Sequence, residues 1–321
     1  MDNNSRKIDH KKHKDLENIF PELEKLLGNT EKSILNNYSK PQKKMYLIVG
    51  CARSGSTLLF QYLSKTGYFA YPTNFLSRFY YAPYIGYRLQ QALIDFDEKG
   101  EIFQKQSTQN KFSSNLGKTK GPKEAHEFWY FWNRFFKFKD LQQLNEEEIN
   151  KVDWNLFLKE LHAFESVANK PILMKAMNLN WNLLDLKKQI PNIHFIYIKR
   201  DIVYNAQSLL QSRKSFFGNY DDWYSFKTPN YHTIKNLPNE EQVVEQVYSN
   251  NKAIEDQLSK IDSNDITQIN YLDFCESPSS VIKDLNLKGA SITAFETIFK
   301  HGNIKKLPDE IFKKLNNYTK N

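Results

Sequence analysis

Residues 47–59, Leu47-Ile-Val-Gly-Cys-Ala-Arg-Ser-Gly-Ser-Thr-Leu-Leu59, are almost a nucleotide-binding P-loop. A P-loop reads G-x-x-x-x-G-K-[ST] after a strand, and its backbone N–H groups cradle phosphates at a helix N-terminus. Gly50 and Gly55 keep the glycine spacing, Met45 to Val49 reads as the apolar strand, and Thr57 keeps the hydroxyl. Ser56, however, stands where a lysine would reach the β- and γ-phosphates, and the positive charge has moved to Arg53. The loop therefore reads as an anion cradle that is not built for ATP with magnesium. Arg53, Ser54, Gly55, Ser56 and Thr57 are its candidate binding residues.

Outward from this loop, strand and helix patterns alternate. Ser56 to Lys65 reads as the helix after the cradle, Tyr68 to Tyr71 as a short strand ended by Pro72, and Ile172 to Lys175 and Ile193 to Lys199 as strands. Helices are expected over 201–212, 240–261 and 279–285, with a strand at 266–271. Such alternation predicts an α/β fold, a three-layer P-loop-like domain over 43–321 with a central parallel sheet flanked by helices. Residues 1–42 read as an N-terminal helical extension, with apolar residues at helical spacing from Leu16 to Leu27 and a break at Gly28-Asn29. Aromatic-rich segments near 71–140 and 215–240 read as insertions that line an acceptor cleft, and 107–121 as a flexible loop.

Composition narrows the class of ligand. The chain has 321 residues, ample for a sizeable core, and its net charge of +8 suits an anionic ligand or a peripheral contact with an anionic membrane. The basic residues are dispersed and no nucleic-acid motif occurs, which argues against nucleic acid as the partner. The charged N-terminus does not resemble a signal peptide, and no apolar run is long enough to span a bilayer. Two cysteines, Cys51 and Cys275, have no metal-ligand spacing, so a reduced cytoplasmic location and no metal are expected.

A second anion site is indicated by Phe195-Ile-Tyr-Ile-Lys-Arg-Asp201, a strand ending in a basic residue, with Ser208 two helical turns after Arg200. An arginine fork and a hydroxyl in this arrangement can clamp a phosphate. Together with Arg53-Ser-Gly-Ser-Thr57, this pair resembles the sulfotransferases that use 3′-phosphoadenosine 5′-phosphosulfate (PAPS). The resemblance implies that the Arg53 loop holds the 5′-phosphosulfate and that Arg200 and Ser208 hold the 3′-phosphate. It also implies that Lys175, at the end of a strand 25 residues earlier, faces the transferred group. The segment Ile269 to Pro278 resembles the family's late strand and the turn after it, and His301-Gly-Asn303 with Lys305 or Lys306 resembles its closing loop. The likeness runs from about residue 45 to 306 and leaves the N-terminal segment unexplained.

The pattern departs from the family at the general base. An acceptor hydroxyl must lose its proton as it attacks sulfur, so a His or Glu is expected within reach. The family's usual histidine and glutamate positions are Met177 and Asn74 here. The remaining candidates lie in Glu124-Ala-His-Glu-Phe-Trp129, where burial among aromatics is expected to lift a carboxyl toward neutrality. Glu127 ranks first, then His126, then Glu124. The catalytic set is thus Glu127, His126, Lys175 and Arg53. The resemblance implies a hydroxyl-bearing acceptor, with a glycan or glycolipid favoured. Two readings stand beside it: a P-loop kinase or NTPase, which would need the lysine that Ser56 replaces, and a PAPS-binding protein without catalysis.

Overall fold

A computed structural model describes residues 5–103, 112–291 and 298–319. At its centre lie four parallel strands, β1 (Met45–Val49), β2 (Leu173–Lys175), β3 (Ile193–Lys199) and β4 (Ile266–Asn270), in the order β2-β1-β3-β4. Helix α1 (Lys14–Ile34) precedes the sheet and α2 (Ser56–Ser64) follows β1. Between β2 and its predecessor come α3 (Pro83–Gln90), α4 (Trp129–Phe136), α5 (Glu146–Asn150) and α6 (Trp154–Ala168). Helix α7 (Leu183–Gln189) joins β2 to β3, and α8 (Ile202–Phe217), α9 (Tyr231–Ile234) and α10 (Asn239–Leu258) join β3 to β4. Helices α11 (Tyr271–Glu276), α12 (Ser280–Asp284) and α13 (Asp309–Tyr318) end the order.

The expected three layers follow from strand alternation. Met45, Leu47 and Val49 with Ile193, Phe195 and Tyr197 face a core shared with the aromatics of α4 and α6. Tyr46 and Ile48 with Ile196 and Ile198 face a second core with α2, α11 and α12. Strand β1 is buried along its whole length, as a central parallel strand covered on both faces must be. Among the described residues no helix is long and apolar enough to cross a membrane.

Four local expectations change. Tyr68–Tyr71 forms only a single parallel bridge, Ala70 to Ile172, because Pro72 has no N–H to extend the ladder. Helix α1 runs through Gly28-Asn29 without a break. The glycine costs about 1 kcal/mol in a helix, and the anchoring on either side of it outweighs that. The buried Glu31 carboxylate accepts hydrogen bonds from the Tyr84 and Ile85 N–H groups (2.8 and 3.1 Å), while Phe20 packs against Tyr81 and Ala82. The rings of 128–138 mostly form core: Phe128, Phe131, Trp132, Phe135 and Phe136 are buried around Phe157, and only Trp129 among them is exposed. Segment 222–236, within the aromatic insertion expected near 215–240, buries Phe226, Thr228 and Ile234, and Gln246 pins it by donating to the Tyr224 and Phe226 carbonyls. Of the expected loop 107–121, residues 107–111 lie outside the described residues, and Asn115 pairs with Lys118 in a tight turn.

Candidate active site

The strand order brings the sequence-distant candidates together. Because β1 lies between β2 and β3, its loop sits between their carboxyl ends, where open α/β sheets bind ligands. Lys175 closes β2 in register with Ile48, Arg200 follows β3 directly, and Tyr271 follows β4. Two side chains that sequence reading missed fix the loop backbone. Asn180 donates to the Gly50 carbonyl at 2.9 Å, and Asn205 to the Ala52 carbonyl at 2.7 Å. Neither asparagine belongs to a motif, and only the fold reveals that it faces the loop.

The loop holds Arg53 and Gly55 at positive φ, +68° and +98°. A left-handed arginine is uncommon and marks a constrained, functional turn. Gly55 has a second reason to be glycine: a Cβ there would lie 2.3 Å from the Tyr271 ring. As the N-cap of α2 it also offers no side-chain acceptor to the helix's first N–H groups, which leaves them for an anion. Gly55→Ala should therefore lower Tm, since left-handed backbone alone costs about 1–2 kcal/mol for a β-carbon residue. Thermal melting of the variant against the parent chain checks this, and an unchanged Tm would refute it.

Two arginines meet at this loop. Arg53 Nε donates to Ser208 Oγ at 3.2 Å. Arg200 Nη1 donates to the Arg53 carbonyl at 3.0 Å, Arg200 Nε to Asn303 Oδ1 at 2.8 Å, and its guanidinium lies over the Tyr271 ring at 4.6 Å. The Tyr271 hydroxyl in turn accepts from the Gly302 N–H at 2.9 Å. Arg200 is only 7% exposed, and burial holds its pKa below the usual arginine value. Among the described residues no carboxylate pairs with Arg53 or Arg200. The Ser54 hydroxyl beside them is buried without a hydrogen-bond partner. The buried Arg200 charge has only neutral acceptors and the Ser54 hydroxyl has none, an arrangement that is costly unless an anion satisfies it. Tyr271 was not read from the sequence, though its place directly after a strand is the same signal that singled out Arg200.

A second cluster adjoins the first through Thr57. Lys175 Nζ donates to Thr57 Oγ1 at 2.9 Å and to Glu127 Oε1 at 2.5 Å. Trp129 Nε1 donates to Glu127 Oε2 at 2.5 Å. Burial alone would raise the Glu127 pKa, but the Lys175 charge and the two hydrogen bonds outweigh it, so this carboxyl sits below its ordinary range. The expectation that aromatic burial lifts Glu127 toward neutrality is thereby corrected, because the carboxylate has a cation against it.

The other base candidates have different surroundings. The His126 ring accepts the Phe128 N–H at Nδ1 (2.9 Å), and burial lowers its pKa to about 4, so it is neutral with that lone pair engaged. Glu124 pairs with Lys65, the residue just after α2, at 3.2 Å and accepts from Gln61 on α2. At the family's usual base positions, Met177 Sδ accepts the Ser56 hydroxyl at 3.0 Å, and Asn74 donates to Thr119 and Gly121 in the 115–121 loop. Among the described residues no group of three or more His, Cys, Asp or Glu side chains is placed to hold a metal.

Comparisons with known proteins agree with this architecture. Residues 46–286 match the sulfotransferase family. A search of curated proteins finds no match. Among solved structures, the sulfotransferase STF9 from Mycobacterium avium is similar with a TM-score of 0.51 and 13% identity, over 87% of this chain and 68% of that one. The sulfotransferase STF1 from Mycobacterium tuberculosis H37Rv gives a TM-score of 0.49 and 12% identity, over 91% and 76% of the two chains. A sulfotransferase from Alicyclobacillus acidocaldarius gives 0.43 and 15%, over 86% and 93%. The family match begins in β1 and ends beyond β4, so it takes in the Arg53 loop, Lys175, Arg200 and Tyr271: the chain belongs to the sulfotransferase family.

Proposed function

We propose that this chain transfers a sulfuryl group from PAPS to an acceptor hydroxyl, on a glycan or glycolipid. The observation that carries the reading is the meeting of Arg53 and Arg200 at one loop without a carboxylate partner among the described residues, next to the buried, unpartnered Ser54 hydroxyl. These donors fit a nucleotide with two separate anionic ends. Arg53, Ser54 and the N–H groups of Gly55, Ser56 and Thr57 are assigned to the phosphosulfate, and Arg200 with Ser208 to the 3′-phosphate. The donor supplies an activated sulfuryl group whose departure leaves charge on the nucleotide phosphate. Fixed cations and amides aimed at such charge are the strongest catalytic aid a site offers.

Within the chain, Lys175 and Glu127 act as a coupled pair. Glu127 is assigned the acceptor's proton, taken up at a carboxylate oxygen. Protonation there removes the charge that holds the Lys175 ammonium, which frees the cation to act beside Thr57. A kinase reading lacks support, because Ser56 occupies the lysine position and its hydroxyl is engaged by Met177. A cytoplasmic location accords with two buried, unpaired cysteines.

Thermal melting tests the donor directly. At about 100 times Kd a ligand adds about 3 kcal/mol, so 3′,5′-ADP should raise Tm by several degrees and ATP with magnesium should raise it far less. Stabilisation by ATP with magnesium and none by 3′,5′-ADP would overturn the proposal.

A further inference from the structure

Trp129 is exposed where its neighbours are buried, and the backbone is distorted to put it there. Phe128 adopts left-handed φ (+57°), a conformation that residues with a β-carbon rarely take, and the His126 ring holds it by accepting the Phe128 N–H. The twist sends the Phe128 ring into the core (2% exposed) and leaves Trp129 at 40% exposure on the first turn of α4. It also sets Glu127 and Trp129 side by side, although residues two apart do not face each other along a helix. The indole N–H then reaches Glu127 Oε2, while Lys175 holds Oε1. Behind the indole lies Phe226, ring centroids 5.5 Å apart and tilted by 34°, itself fixed by donors from Trp223 and Gln246 to its carbonyl. The indole is thus packed against Phe226, partly exposed, and bonded to the candidate base.

We propose that Trp129 is a positioning residue with two tasks: its N–H orients the Glu127 carboxylate, and its exposed face receives a ring that carries the acceptor hydroxyl. This rests on Glu127 as the base and adds the acceptor's chemistry. The ring is six-membered with a flat face, either the C–H face of a sugar or the π-face of a phenol, since both lie well on an indole. A linear alcohol offers no such face.

Three probes test the ring, each titrated calorimetrically with and without 3′,5′-ADP: methyl β-D-glucopyranoside, p-nitrophenol and 1-hexanol. At least one ring probe should bind about 10-fold more tightly than hexanol. Trp129→Phe should keep that preference and Trp129→Ala should lose it, and the sugar and phenol arms tell the two ring classes apart. Equal binding of rings and hexanol, or an unchanged preference in Trp129→Ala, overturns the platform. Titration of carbon-13-labelled glutamate tests the other task without turnover. Loss of the N–H in Trp129→Phe should raise the Glu127 midpoint, and an unmoved midpoint overturns the orienting role. Failure of 3′,5′-ADP to bind any variant counts against the donor reading alone, because the probe and glutamate titrations do not depend on it.

Discussion

Glu127→Gln is expected to lower turnover by about 100-fold or more, the range by which a positioned general base accelerates proton transfer, with 3′,5′-ADP affinity nearly unchanged. The glutamine keeps the shape and can still accept from Trp129, but it can neither take a proton nor neutralise Lys175. Lys175 is only 5% exposed, so an unpaired ammonium there should also lower Tm, on the scale of about 1–3 kcal/mol for a buried polar group left unsatisfied. The pH dependence has a definite sign. The folded Glu127 pKa lies below its ordinary value, so the base form is fully present at neutral pH and the acid limb of kcat/KM falls below the usual carboxylate range. The stability contributed by the pair follows the same rule: present above the unfolded carboxylate pKa, and lost as pH falls through the depressed folded value. Lys175→Met removes the cation that outweighs burial, so it should move the acid limb upward while slowing turnover. Glu127→Gln with full kcat across the pH range would make this carboxylate a mere counter-ion to Lys175 and place the base elsewhere.

The parts of this site that could be read from the sequence are those whose meaning is local. The Arg53 loop carries its own strand, turn and helix start within thirteen residues, and Arg200 with Ser208 spans two helical turns. The strand order β2-β1-β3-β4, which sets the three strand ends beside one another, was not read from the sequence and comes from the fold. Glu127 was legible only as one of three candidates, because its partner Lys175 is 48 residues away and nothing nearby predicts a cation against it. His126 lies in the same acid/imidazole run, yet its role depends on the left-handed turn at Phe128, which no propensity forecasts. Trp129 and Trp132 sit three apart on one helix, so periodicity treats them as neighbours on one face. The helix start separates them, leaving one exposed and the other donating from the core to the Lys175 carbonyl. The unbroken α1 has the same cause: Gly28 reads as a stop until Glu31 is seen capping residues more than fifty positions on.

Arg200→Ala should weaken 3′,5′-ADP by about 30-fold or more, since truncating a buried charged donor that meets an anion costs about 2–5 kcal/mol. The same change should weaken 5′-AMP far less, because Arg200 is assigned to the phosphate that 5′-AMP lacks. Arg200 also braces the loop, however, by donating to the Arg53 carbonyl and stacking on Tyr271, so part of any loss will be shared by both nucleotides. The difference between the two losses isolates the phosphate contact, and calorimetry on both ligands measures it. Arg200→Lys sharpens the test, since it keeps the charge but cannot serve Asn303, the Arg53 carbonyl and a phosphate from one planar fork. It should recover part of the 3′,5′-ADP affinity and little of the loop bracing. Equal losses for 3′,5′-ADP and 5′-AMP in both variants would make Arg200 a structural support of the Arg53 loop and remove it from the nucleotide site.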